Sequence, residues 1–151
     1  MRISEFLDRK AIELNLKSKS KAEVLEELVN LLSRTGKIED KKEFLRVIKE
    51  REELGSTGIG YNIAIPHARC RGVKELVGAF GISREGIDFD ALDGEPVHLF
   101  FILGAPPDAS GEYLKALACI SRILRRRAAR HALLAAKTPE EVEKIFRQTE
   151  D

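Results

Sequence analysis

The apolar residues of this chain change period twice, and that change restricts the fold more than any other feature of the sequence. Up to about residue 54 they recur at helical spacing: Leu25, Leu28, Val29 and Leu32 fall at i, i+3, i+4 and i+7, and Phe44, Val47 and Ile48 repeat the pattern. Between Ile63 and Leu103 four short apolar runs follow, Ile63 to Ile65, Leu76 to Ile82, Ile87 to Phe89 and Val97 to Leu103, separated by Gly, Pro and Asp-Gly turns in the manner of buried strands. From Asp108 or Ser110 the helical spacing returns in Leu114, Leu117, Ala118, Ile120 and Leu124. It continues through an Ala/Leu-rich stretch to about Ala136 and a last segment bearing Val142, Ile145 and Phe146. A block of strands between helical segments predicts an α/β fold: a single layered domain over residues 1–151, with a central mixed β-sheet flanked by helices on both faces.

Three helix starts are marked by capping boxes, Ser20 with Glu23, Asp40 with Glu43, and Thr138 with Glu141, the last with Pro139 at the first helical position. Gly36 marks a stop for the first helix, and the second is expected to reach Leu54 before Gly55. Arg51 lies i+7 from Phe44, i+4 from Val47 and i+3 from Ile48, so it emerges toward the inner face of that helix.

Composition removes several function classes. A length of 151 residues is enough for one core without disulfides or a structural metal. Twenty-six Lys and Arg against 25 Asp and Glu leave no global field for nucleic acid or an anionic membrane. No apolar run approaches the roughly 18 residues of a membrane helix, so direct membrane insertion is not expected. The N-terminus lacks the pattern of a secretory signal, and two cysteines without CxxC spacing fit a reducing compartment, so the expected location is cytoplasmic.

The chemistry concentrates in one segment of seventeen residues, from Arg51 to His67. Gly55, Gly58 and Gly60 around Ser56 and Thr57 form a loop that either is a tight connection or brings amides and hydroxyls to an anion. Pro66 is expected to end the strand begun at Ile63, which places His67 just past a strand end. Taken singly, His67 reads equally as a surface histidine and Arg51 as a side chain snorkelling to water. Jointly, an inward cation, an amide-rich loop and a nucleophilic imidazole describe a phosphoryl site. The glycine spacing matches neither a P-loop nor a dinucleotide fingerprint, so no nucleotide cofactor is expected.

Elsewhere the plainer readings prevail. His98 in its strand reads as a structural hydrogen-bonder, and Cys70 three residues after His67 lacks the second pair that a zinc site needs. The arginines from Arg122 to Arg130 read as a solvated helix face without interleaved aromatics, so no nucleic-acid partner is expected. Asp88, Asp90 and Asp93 read as turn residues.

The run RE-x-LGSTGIG-x-x-IAIPHA, residues 51–68, resembles the active-site signature of the enzyme IIA domains of the bacterial sugar phosphotransferase system, of the fructose/mannitol type that includes the nitrogen-regulatory paralogue. The resemblance in element order extends over nearly the whole chain. It implies that His67 accepts a phosphoryl group from the phosphocarrier HPr, with Arg51 as the family arginine and without metal or cofactor; Ser56 and Thr57 of the loop, together with Tyr113, are expected at the substrate. It also implies that the phosphoryl group passes to a cysteine of an enzyme IIB partner, or that the phosphorylation state signals to a regulatory target. Where family members commonly carry a second histidine, in a His-Leu-x-x-Leu setting, this chain has Tyr113, followed by Leu114 and Leu117. Tyrosine keeps a hydrogen-bond donor but is not cationic near neutral pH, so the alternative is a non-catalytic regulatory binding module. A more distant resemblance, to cytoplasmic domains of anion transporters, fits poorly with an intact His67 and Arg51.

Overall fold

In the computed structural model, which describes residues 1–150, a 3₁₀ turn at Ile3–Glu5 leads into β1 (Leu7–Glu13), and two helices follow, α1 (Lys21–Ser33) and α2 (Lys41–Glu53). Then come β2 (Gly58–Gly60), β3 (Ile63–Ala64), β4 (His67–Arg69), β5 (Val77–Ile87) and β6 (Val97–Ala105). Three helices close the chain: α3 (Ser110–Leu124), α4 (Arg127–Ala135) and α5 (Pro139–Thr149). The sheet order is β1-β5-β6-β3-β2, with β4 also pairing with β6. Parallel pairs β1·β5, β3·β6 and β4·β6 stand beside antiparallel pairs β5·β6 and β2·β3, so the sheet is mixed.

The two-residue period of the central strands divides the core into two layers. On one side Ile63, Phe80, Ile82, Leu99, Phe101 and Leu103 pack with α3, α4 and α5. On the other Ala64, Ala79, Phe100 and Ile102 pack with α1 and α2. Helices therefore cover both faces, and both faces of β6 are dry, which is why Val97 to Leu103 reads as a nearly continuous apolar run.

One half of each expected capping box forms: Ser20, Asp40 and Thr138 accept from the amides of Glu23, Glu43 and Glu141, while the reciprocal bond from the cap residue's own amide is not made among the described residues. Glu141 in turn accepts from the Lys137 amide at 2.7 Å. The helix after Asp40 ends with Leu54 as its cap residue, and Gly36 beyond α1 has φ +74°, the left-handed geometry that favours glycine at a helix stop. No helix among the described residues is long and apolar enough to cross a membrane.

Two strand expectations need correction, and a further strand, β1, was not expected. β1 does not show in the sequence, because its edge position and a register irregularity between Leu7 and Ile12 break the alternation. Ile87 to Phe89 is not a separate strand: Ile87 ends β5, and Phe89 is a buried loop residue stacked edge-on against Phe100. Pro66 interrupts its strand without ending it. Ile63 lies opposite Leu99 and His67 opposite Leu103, so β3 and β4 are one extended run in constant parallel register along β6. Pro66 has no amide to donate, but its carbonyl still accepts from the Leu103 amide at 2.9 Å, and the chain stays on the sheet.

Gly78 in β5 exists to admit an aromatic ring. A Cβ there would lie 2.6 Å from Phe101 Cε1, and Phe101 is already held by Phe6, Phe80 and Phe146 at centroid distances of 6.0 to 6.2 Å. Gly78→Ala is expected to destabilise the fold by about 1–3 kcal/mol through overpacking. Urea denaturation checks this, and an unchanged midpoint would mean that the Phe101 ring has room to move.

Candidate phosphoryl site at the edge of strand β4

Because β4 pairs only with β6, its outer side borders a cavity of about 550 Å³ between the last turns of α2 and the first turns of α3. Alternation along β4 buries Ala68 in the layer with α1 and α2, and sends His67 and Arg69 to the opposite face. Both line the cavity, together with Arg51 and Val47 from α2 and Tyr113, Leu114 and Leu117 from α3. Sequence positions 51, 67 and 113 thus meet at one place.

The His67 ring is fixed by its own backbone. Its Nδ1 lies 2.6 Å from the carbonyl oxygen of Ile65, an acceptor only, so Nδ1 carries the proton and donates it. In the neutral ring Nε2 then holds the free lone pair. Burial is the main cause of a His67 pKa below the ordinary 6.5; the bond to Ile65 opposes it, the Arg51 charge adds to it, and the Glu52 charge opposes it. The imidazole is therefore neutral at pH 7 and available as a nucleophile.

Arg51 sits in the last turn of α2, and its Nη1 donates to the Gly55 carbonyl at 3.0 Å, closing the turn into the glycine-rich loop. Its remaining donors have no hydrogen-bond partner among the described residues, and its side chain borders the cavity. Tyr113 lies with its ring centroid 5.9 Å from that of His67. Burial pushes the Tyr113 phenol up to about 12, against the opposing charges of Arg69 and Arg51, so it remains a neutral donor.

Ser56 and Thr57 do not join this group. The Ser56 hydroxyl donates to the Phe89 carbonyl at 2.9 Å and accepts from the Gly58 amide at 3.0 Å. Thr57 is buried, and both its amide and its hydroxyl bond to the Glu52 carboxylate. Their polar atoms are engaged in holding the loop together, which leaves the cavity to the side chains of β4, α2 and α3. The tight-connection reading of the loop is the one that its bonds support.

Two residues that matter here escaped the sequence reading. Glu52 is buried, forms an ion pair with Lys21 at 2.9 Å, and anchors the loop through Thr57. Its signal was available: Phe44, Ile48 and Glu52 are spaced four apart and share a helix face. Arg69, two residues after His67, comes to the same face only once β4 is a strand. The other candidates take structural parts. His98 Nδ1 bonds to the Ser83 carbonyl at 2.9 Å, and Cys70 is buried and accepts from the Gly72 amide. Asp88 and Asp93 cap local turns by accepting from the amides of Asp90 and Glu95. Arg130 caps the end of α3 through the Leu124 and Arg125 carbonyls.

A sequence profile of the family described as phosphoenolpyruvate-dependent sugar phosphotransferase system, EIIA 2, matches residues 5–149. The fructose-specific EIIABC component of the phosphotransferase system of Bacillus subtilis (strain 168) is 40% identical over 148 residues, which are 98% of this chain and 23% of that protein. The chain thus spans less than a quarter of that relative's length. A nitrogen regulatory protein of Bradyrhizobium diazoefficiens is 39% identical over 126 residues, 83% of this chain and 81% of that protein. The crystal structure of nitrogen regulatory protein IIA-Ntr from Neisseria meningitidis superposes with a TM-score of 0.88 at 39% identity, covering 95% of this chain and 98% of that one.

The charge environment of His67 has a direct readout. An NMR titration of its Cε1–H should give a midpoint below 6.5, and Arg51→Gln should raise that midpoint by removing a cation that disfavours imidazolium. A midpoint at or above 6.5 in the unaltered protein would mean that burial does not dominate at this ring.

Proposed function

The chain belongs to the EIIA type 2 family of the phosphoenolpyruvate-dependent sugar phosphotransferase system, and on that premise we propose that it is a cytoplasmic phosphocarrier with His67 as the acceptor. Phospho-HPr is the donor. The His67 Nε2 lone pair attacks phosphorus, the Nε2–P bond forms, and the bond from phosphorus to the donor atom breaks with its electron pair returning to the donor. The Nδ1 proton stays on the bond to the Ile65 carbonyl throughout. In onward transfer a cysteine thiolate of an enzyme IIB partner forms the S–P bond while Nε2 takes back its electron pair. Phosphoryl transfer of this kind needs positioning and charge stabilisation, and neither metal nor nucleotide enters these steps.

The observation that supports this reading best is the tautomer: a carbonyl 2.6 Å from Nδ1 commits the ring to a free Nε2 beside the Arg51 guanidinium. Incubation with phosphoenolpyruvate, enzyme I and HPr should add one phosphoryl mass, acid-labile and alkali-stable, and His67→Ala should abolish it. A label on Ser56, Thr57 or His98, or a full label on the alanine variant, would overturn the assignment.

A second reading has its own support. Tyr113 puts a neutral phenol where an imidazolium would otherwise contribute charge, and relatives of this chain carry the name nitrogen regulatory protein. In that reading the same surface docks a regulatory target, and His67 turns over phosphate slowly or as a switch. Tyr113→His separates the two: it should change the phosphohistidine lifetime or transfer rate between about pH 6 and 7.5, around the ordinary histidine pKa of about 6.5. Identical kinetics for both proteins across that range would place residue 113 outside the chemistry.

A further inference from the structure

Arg69 reaches the cavity from the same strand face as His67, and the transfer steps above leave it unused. Its guanidinium carbon stands 5.5 Å from the centroid of the Tyr113 ring. Its Nη1 donates to the Ser110 hydroxyl and, at 3.3 Å, to the Pro107 carbonyl. These partners are all neutral. Nε and Nη2 have no hydrogen-bond partner among the described residues, and neither Arg69 nor Arg51 forms a salt bridge there. The lining of the cavity contains both guanidinium groups, a neutral imidazole and a neutral phenol, and no carboxylate. Two uncompensated cations at one cavity repel each other, and a dianion between them turns that repulsion into attraction.

We infer that Arg69 is a second phosphoryl-binding residue, which together with Arg51 neutralises the phosphoryl group once His67 carries it. The inference rests on the reading of His67 as the acceptor. Residues two apart on a strand have Cα atoms about 6–7 Å apart, well within reach of an arginine side chain, and the planar fork of Arg69 suits phosphoryl oxygens. Arg51 approaches the group from α2 and Arg69 from the α3 side. Contact with Ser110 and Pro107 holds Arg69 at the cavity, and its charge lies over the face of the Tyr113 ring. The charge that a phenol at position 113 does not supply is supplied by the arginine resting on that phenol.

The equilibrium constant for phosphoryl exchange between this chain and HPr tests the inference, because it reads the stability of the phosphorylated state and is independent of how well the two proteins dock. Arg69→Gln should lower that constant about tenfold and Arg69→Lys by less, with the melting temperature unchanged, as expected for loss of a charge-assisted hydrogen bond. In the unaltered protein, phosphorylation should shift the NMR signal of the Arg69 Nε–H. If Arg69→Gln slows transfer but leaves the constant and melting temperature unchanged, Arg69 is a docking residue and the inference is overturned. An unmoved Arg69 signal overturns it as well. Absence of any labelling of the unaltered chain overturns the phosphocarrier reading, and this inference with it; normal labelling with an unchanged constant overturns this inference alone.

Discussion

Everything at the cavity is hung on β6. This strand pairs with β5 along one side and with β3 and β4 along the other, and apolar side chains from both helical layers cover it. With both faces dry, its peptide groups have no water to fall back on, so pairing on both edges is obligatory. That requirement draws residues 63 to 69 against it in one register. Pro66 withholds one donor from the run, yet its carbonyl still takes the Leu103 amide, so the run continues to Arg69. The His67 imidazole is in this sense positioned by the middle of the core.

The same core sets the charge state of the site. Burial disfavours the imidazolium of His67 and the phenolate of Tyr113, so both rings facing the cavity stay neutral. The carboxylate nearest in sequence, Glu52, turns away from the cavity and is neutralised by Lys21, whose ammonium also lies 4.7 Å from the centroid of the Phe89 ring. This arrangement ties α1, α2 and the glycine-rich loop together and keeps negative charge off the cavity lining. What remains there is a pair of arginines with donors to spare. An anion that enters finds hydrogen-bond donors already placed, with little reorganisation needed to bind it.

The helices were legible because their ends are local events: Ser20, Asp40 and Thr138 each bond to an amide three residues on, which any reading of spacing detects. Arg51 was legible for the same reason, its face being fixed by Phe44 and Ile48 within the same helix. The strands β2 and β4, at three residues each, are too short to show a period, and only pairing with distant partners makes them strands. Arg69 stayed hidden with β4. The parts played by Ser56 and Thr57 are not legible, because a glycine-rich sequence gives no sign of whether hydroxyls turn toward a ligand or toward the protein. Here a carbonyl at Phe89 and a carboxylate at Glu52 claim them, one 33 residues away and the other behind a helix end.

Constant register along β6 makes the segment tolerant of replacement and intolerant of lengthening. A substitution at Ala64 or Ala68 changes volume in one layer and leaves the order of faces intact. An inserted or deleted residue between Ile63 and His67, with the β6 pairing on either side preserved, would need a bulge. Without a bulge every later side chain would move to the opposite face. The imidazole would then point among the α1 and α2 side chains, and its place on the strand would pass to Ala68 after a deletion or to Pro66 after an insertion. Parity counted along a single strand thus acts as the address of the His67 imidazole.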